Sequence, residues 1–342
     1  MNGTGNNNSV RYIEIFEDHA GQRLDNFLIR LCKGVPKSHV YRILRSGEVR
    51  INSRRADATY RLQSGDRVRL PPIRTAQRPE EAQDAVAQAR VNLPVIYEDD
   101  ALLVIDKPEG IAVHGGSGVS FGLIEALRQQ RPQARFLELA HRLDRETSGI
   151  LLVGKKRSAL TALHDMFREH GAGADKRYLV LVKGRWMNSC QHVRLPLHKY
   201  LTDSGERRVR VQEEGKASHT VFRLLARWPS MSLLEAQLKT GRTHQIRVHL
   251  AHLGFPILGD EKYGDFALNK SLPKSGLKRM ALHAWRMAFS HPLNQASMLC
   301  CAPLPESLKA FISTVDRENR REFAAEDLAD YGLAEALAEE KK

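Results

Sequence analysis

Asp144 stands in the run His141-Arg142-Leu143-Asp144-Arg145-Glu146-Thr147-Ser148-Gly149, in which His141 to Arg145 set one acid among three bases. The run leads into the apolar Ile150-Leu151-Leu152-Val153, closed by Gly154 and the basic Lys155-Lys156-Arg157. A short apolar run bounded by turn residues predicts a buried strand. Thr147-Ser148-Gly149 reads as the turn that feeds it. Asp144 is then a carboxylate on a loop at the mouth of a rigid strand, where scaffolds hold catalytic groups. The same residues also read as a solvated ion pair of Asp144 with Arg142 or Arg145.

Two other stretches are as dense. Thr240-Gly241-Arg242-Thr243-His244-Gln245-Ile246-Arg247-Val248-His249 continues to Gly254. Thr243 reads as a helix N-cap, and Ile246, Leu250 and Leu253 fall on one face. Gly254 closes that helix, and Arg247 stands at the border of its apolar face. His244, His249 and His252 raise a metal site, but no H-E-x-x-H pattern or carboxylate accompanies them, so no metal is expected. Lys176 to Lys183 alternates too little to be half exposed and predicts a central strand ended by Gly184. Tyr178 lies at its start; a strand tyrosine ordinarily packs in the core with its hydroxyl at the surface.

These groups need a scaffold, and the chain is long enough for two domains. It has 342 residues, 42% apolar and 27% charged, as in an ordinary globular protein. The formal charge of +13 is not ordinary and points to a polyanionic partner, nucleic acid first. No stretch reads as a membrane span and the polar start lacks a signal-peptide core, so a cytoplasmic protein is expected. Cys32, Cys190, Cys300 and Cys301 read as reduced thiols. Residues 1–10 are expected to be disordered, 11–73 to form a basic domain, 74–92 a polar linker and 93–315 the catalytic domain. Residues 316–342 read as a charged surface extension. His114, on a glycine-rich loop that lacks the phosphate-loop ending, reads as a loop histidine rather than a substrate contact.

From Gln22 to Pro72 there are twelve Lys or Arg against four acids. Leu24, Phe27 and Leu28 recur at helical spacing, as do Val40, Ile43 and Leu44, and Val49-Arg50-Ile51 and Val68-Arg69-Leu70 alternate as strands. Gln22-Arg23-Leu24-Asp25, Val35-Pro36-Lys37-Ser38, Ile43-Leu44-Arg45-Ser46-Gly47 and Gly65-Asp66-Arg67-Val68 resemble the S4 RNA-binding domain. That resemblance implies a helix pair plus strands that docks structured RNA, with Arg23, Lys37, Arg42, Arg45 and Arg50 as its contacts.

The three dense stretches, with Gly259-Asp260 and Tyr263-Gly264, resemble the RluA family of pseudouridine synthases. The resemblance implies isomerisation of uridines within RNA, with large-subunit ribosomal RNA as the expected partner and neither cofactor nor metal. The base leaves ribose C1′, rotates and rejoins through C5. An aspartate is ionised at neutral pH without tuning and suits the sugar step, and Asp144 matches the family's catalytic aspartate. Covalent addition and a glycal route both stay open. Arg247 matches the arginine paired with it, Tyr178 the aromatic that stacks on the base and is expected to handle the C5 proton late in the reaction, and Arg142 the residue that fills the gap left by the flipped nucleotide. His141, Arg242 and His244 are expected at the substrate. The segment Gly259-Asp260-Glu261 is expected to bear on target choice rather than chemistry. The implied fold is α+β: a small S4 module and a catalytic domain with a mixed, mainly antiparallel sheet flanked by helices, acting as a monomer. A synthase for another structured RNA such as tRNA, a non-catalytic S4-type RNA-binding protein, and a hydrolase using His141 and Asp144 are the alternatives. The last lacks a nucleophile elbow.

Overall fold

The computed structural model describes residues 9–16, 19–32, 35–73, 91–115, 122–168, 173–326, 328–331 and 333. They fall into two compact units, residues 1–91 with 132–136 and residues 92–131 with 137–342. Most of the expected disordered start and linker, residues 116–118 of the glycine-rich loop and the last nine residues lie outside the described ones.

The first unit runs β1 (Arg11–Glu14), α1 (Leu24–Leu31), α2 (Lys37–Arg45), β2 (Arg50–Ile51), β3 (Arg54–Arg55) and β4 (Arg67–Leu70). Its strands pair antiparallel in the order β1-β4-β2-β3. The apolar faces of both helices, Leu24, Phe27, Leu28, Val40, Ile43 and Leu44, are buried with Ile51, Val68 and Leu70. Asn52 and Ser53 join β2 to β3 with φ of 50° and 68°, the two positive angles of the tight hairpin turn whose twist matches its strands.

The second unit opens with β5 (Val95–Glu98), β6 (Leu102–Lys107), α3 (Leu123–Gln130), β7 (Glu138–Leu139), β8 (Ser148–Gly154) and α4 (Arg157–Arg168). It continues through β9 (Ala174–Lys183), β10 (Cys190–Val193), β11 (Leu197–Leu201), β12 (Arg207–Val211), β13 (Thr220–Arg227) and β14 (Met231–Leu238). Then come α5 (Gln245–His252), α6 (Phe266–Asn269), β15 (Leu282–Ser290), β16 (Ser297–Cys301), α7 (Glu306–Glu318) and β17 (Phe323–Ala324). The main path of the sheet is β10-β13-β14-β9-β15-β8-β6-β5, while β11 and β12 form a separate hairpin.

Every pairing in that sheet is antiparallel except β8 with β15, where Ser148 pairs with His283 and Gly149 with Ala284. The starts of these two buried strands therefore lie side by side, and the Asp144 loop enters β8 there. Gly149 has φ +106°, and a Cβ on it would stand 2.2 Å from the Ala284 carbonyl oxygen, so only glycine fits this pairing. Ser148 and Gly149 belong to the strand, so the feeding turn is shorter than the sequence suggested. Along β9 the side chains alternate. Leu179 and Leu181 pack in a cluster with Phe311, Ile312 and Val315 of α7, which sends Tyr178 to the opposite face.

That cluster also corrects the expected surface extension. Helix α7 runs to Glu318, β17 pairs with β13, and Leu328, Tyr331 and Leu333 are buried with Trp285 and Leu225. Tyr331 stacks at 4.7 Å on Trp285 and accepts a 2.7 Å hydrogen bond from Arg223. The charges along 316–326 made this segment look like solvated surface, and its few apolar residues are the ones that dock. Tyr331→Ala is expected to cost about 3 kcal/mol, as for other large aromatic truncations in cores. A urea denaturation midpoint within the error of the unchanged protein would return the segment to the surface.

Candidate active site

Arg247 is the centre of the site. It lies on α5, whose Gln245 to Leu250 are all buried, so the guanidinium is deeper than a border position would allow. Its Nη1 donates to Asp144 Oδ2 at 2.8 Å. Its Nε and Nη2 donate to the two oxygens of Asp260, each at 2.8 Å. One planar fork thus spans a bidentate and a monodentate carboxylate, which an ammonium cannot do. Burial favours loss of the Arg247 proton, but the two carboxylates outweigh it and hold the proton more firmly than in free arginine. Burial likewise works to raise the Asp260 carboxyl. The Arg247 guanidinium, with the Tyr263 and Lys262 amides, outweighs it and keeps Asp260 below the usual carboxylate range.

Asp260 was expected to concern target choice. Its side chain is 0% exposed and holds the partner of Asp144, so it belongs to the site. Spacing could not reveal this, because Asp260 lies beyond α5 on a separate turn. Gly259 shapes that turn: φ is +74°, and a Cβ would stand 2.1 Å from the Arg279 carbonyl oxygen.

His244 precedes α5 in the left-handed conformation, φ 53°, and Thr243 does not act as the N-cap. No side chain caps the helix; the Gln245 side chain instead ties down the loop before it, accepting from the Arg242 amide at 3.0 Å and the Thr240 hydroxyl at 2.7 Å. The Tyr263 hydroxyl accepts from the Val209 amide at 2.9 Å and lies 2.8 Å from His244 Nδ1. When that hydroxyl donates to Nδ1, the ring proton sits on Nε2, 3.7 Å from Asp144 Oδ1. Burial lowers the His244 pKa against the pull of Asp144, so the ring faces the carboxylate neutral.

The loop under Asp144 is fixed from below. Lys107, fully buried, donates to the Pro108, Arg145 and Thr147 carbonyls at 2.8, 3.0 and 2.8 Å. Burial lowers its pKa to about 8. Three carbonyl dipoles satisfy its three donors, and two of them belong to the loop. Ser148 Oγ contacts His283 Nδ1 at 2.8 Å and accepts from Arg279 Nη2 at 2.5 Å. Lys107 and Arg279 gave no functional signal in the sequence, and Tyr263 stood there only as part of a motif. A lysine ending an apolar strand just before Pro108 was the nearest approach to such a signal.

A cavity of about 790 Å³ opens above this arrangement, lined by Asp144, Tyr178, Arg247, Arg142, Arg242 and His244 among others. His141 and His114 also line it. The His141 Nε2 accepts the Leu152 amide at 3.1 Å, which ties the loop back to β8. Burial and then Lys176 depress its pKa to about 3, so it reaches the cavity as a neutral ring with one nitrogen occupied. Burial, and after it the Asp144 charge, raise the Tyr178 hydroxyl above its usual value, so it is a neutral phenol. Among the described residues of this lining Asp144 is the one acid, among several bases.

In the first unit, Lys37, Arg42, Arg45 and Arg50 are exposed. Arg23 is committed differently: its guanidinium makes two bonds to the buried Asp25, at 3.2 and 2.7 Å, and so holds the start of α1.

Residues 101–252 match the family model for RNA pseudouridylate synthase, and residues 22–68 match the S4 domain. The ribosomal large subunit pseudouridine synthase C of Salmonella typhi is 52% identical over 308 residues, covering 88% of this chain and 95% of that protein. The protein of that name from Haemophilus ducreyi is 49% identical over 312 residues, covering 91% and 97%. Among solved structures, human RNA pseudouridylate synthase domain containing 1 superposes with TM-score 0.57 at 25% identity. It covers 72% of this chain and 96% of its own.

Two outcomes follow from the geometry. Asp260→Asn leaves the volume but removes the charge that Arg247 leans on. Soluble Asp260→Asn is expected to lose about 10²-fold in kcat through misplacement of Asp144, with a stability cost near 3–5 kcal/mol. Turnover at the parent rate would reduce Asp260 to a bystander. Separately, His249 and His283 are fully buried and held neutral by burial, both with pKa about 4. An unfolded imidazole takes its proton near ~6.5. Stability they leave intact above that pH should fall as the pH drops toward 4, by up to ~1.4 kcal/mol per pH unit for each ring. Urea midpoints taken at about pH 7 and about pH 5 check this; equal midpoints would contradict it.

Proposed function

Because the chain belongs to the RNA pseudouridylate synthase family and carries an S4 domain, we propose that it converts specific uridines of large-subunit ribosomal RNA to pseudouridine. The observation that carries the reading is the ionic contact of Asp144 with the buried Arg247 at the floor of a cation-lined cavity. The names of the relatives supply the RNA. The reading makes the protein a monomer that works with its RNA in the cytoplasm and needs neither cofactor nor metal.

The chemistry follows from the residues. Extruding a uridine costs a few kcal/mol, which stacking on Tyr178 and insertion of Arg142 into the vacated gap offset. The bond from C1′ to N1 breaks and a bond from C1′ to C5 forms, with C5 giving up its proton to solvent and N1 taking one from it, so the uracil must turn without leaving the cavity. The Asp144 carboxylate acts on the sugar, either by adding to C1′ or by removing the neighbouring ribose proton; both routes need the charged form. Arg247 aims the oxygen it holds, and the His244 Nε2–H faces the other one. Arg242 and His141 line the wall against which the nucleotide rests. Tyr178, a neutral phenol, serves best as a stacking surface. Its raised pKa disfavours the phenolate that would take the C5 proton.

Outside the cavity, Lys37, Arg42, Arg45 and Arg50 of the S4 unit hold phosphates and supply affinity with little chemistry. Residues 11–73 then serve as the docking module, 74–92 as its linker, and the packed unit from 93 onward as the catalyst.

Asp144→Asn tests the assignment. It keeps size and hydrogen bonding but deletes the charge, so RNA affinity should stay within about three-fold while product formation disappears. Release of the C5 proton from uridine-labelled large-subunit RNA is the readout. Pseudouridine made at the parent rate by folded Asp144→Asn would end the catalytic role of this carboxylate.

A further inference from the structure

One cation in the cavity has no part in the mechanism above. Lys176 lies on β9 two residues before Tyr178, so both side chains leave the same face of the strand. Its ammonium sits 5.0 Å from the centroid of the Phe167 ring, at the end of α4. It also lies 3.6 Å from the place a Cβ on Gly241 would take. Lys176 thus reaches across one end of the cavity, from α4 to the loop that precedes α5. His141 meets the same phenyl ring edge-on at 5.3 Å.

Lys176 is largely withdrawn from water, and burial lowers its pKa with no acid opposing the shift. Among the described residues no carboxylate or carbonyl engages the ammonium. Asp144, the one acid among the described residues of the lining, is already held by Arg247. A half-buried cation without an anion is a standing cost unless its partner arrives with the ligand. The bare glycine at 241 leaves room beside the charge.

We propose that Lys176 binds a backbone phosphate adjacent to the extruded uridine. The proposal rests on the RNA-modifying reading given above. A phosphodiester fits better than the uracil itself. The base stacks at Tyr178, and two residues of strand, roughly 6.6 Å, carry the ammonium beyond the ring. A neutral carbonyl would also leave the charge uncancelled.

Lys176→Met, which keeps the stem and removes the charge, is compared with Lys176→Arg, Lys176→Gln and the parent on large-subunit RNA transcript. The Met and Gln variants are expected to raise KM and Kd about tenfold, to leave kcat within about two-fold, and to flatten the slope of log Kd against log salt by roughly 0.7, one phosphate's worth. Arg should restore the slope. A fall in kcat with KM and slope unchanged would place Lys176 at the base and overturn the proposal, as would no change in any of the three. If the parent protein makes no pseudouridine on this RNA, the proposed function fails; the salt slopes still decide whether Lys176 holds a phosphate.

Discussion

The site depends on one requirement: a guanidinium buried on a helix must be surrounded by enough negative charge to stay there. Arg247 meets it with two carboxylates, and they do different work. Asp260, fully enclosed and gripped by two backbone amides, is the permanent partner. Asp144, with 27% of its side chain exposed, is the partner that also faces the cavity. Breaking a buried pair by removing one member costs far more than an exposed pair is worth. The loop, the turn at Gly259 and the helix are therefore locked into one another. The carboxylate that faces the cavity is held by an element whose own position is already determined.

A second layer keeps that geometry before any substrate arrives. Lys107 collects carbonyls of the Asp144 loop from below, and His141 ties it to the strand beside it. The electrostatics of the cavity are thus preorganised, which is where enzymes gain most. The lining sets Arg142, Lys176, Lys239 and Arg242 around Asp144.

Much of this was legible from residue order. Asp144 before a buried strand, Tyr178 at the start of a central one and Arg247 on a helix were all readable, because strand and helix periods fix which side chains share a face. The S4 helix pair was equally plain from its apolar spacing. What the order of residues hid was pairing across distance. Asp260 could be seen as part of a motif, but not as a carboxylate folded back onto Arg247. The Thr243 cap failed because the chain enters the helix through His244 in a left-handed conformation, which makes His244 the residue before the first turn. Arg23 looked like any other base of the S4 segment until its tie to Asp25 appeared. Tyr331 lay in a charged tail whose docking surface, Trp285, is assembled from another strand. The hairpin of β11 and β12 gave no signal strong enough to mark it.

The parallel pairing of β8 with β15 also orders events during synthesis. Ser148 meets His283 across 135 positions of chain, and no hairpin can shorten that wait. The core of the S4 unit, by contrast, is drawn from Ile15 to Ile73. At a translation rate of about 5–20 residues per second, ten seconds or more separate emergence of the complete S4 core from emergence of β15. During that interval the S4 core is complete, while the β8–β15 pairing beside the Asp144 loop cannot yet form. The two units therefore complete their cores at different times in synthesis.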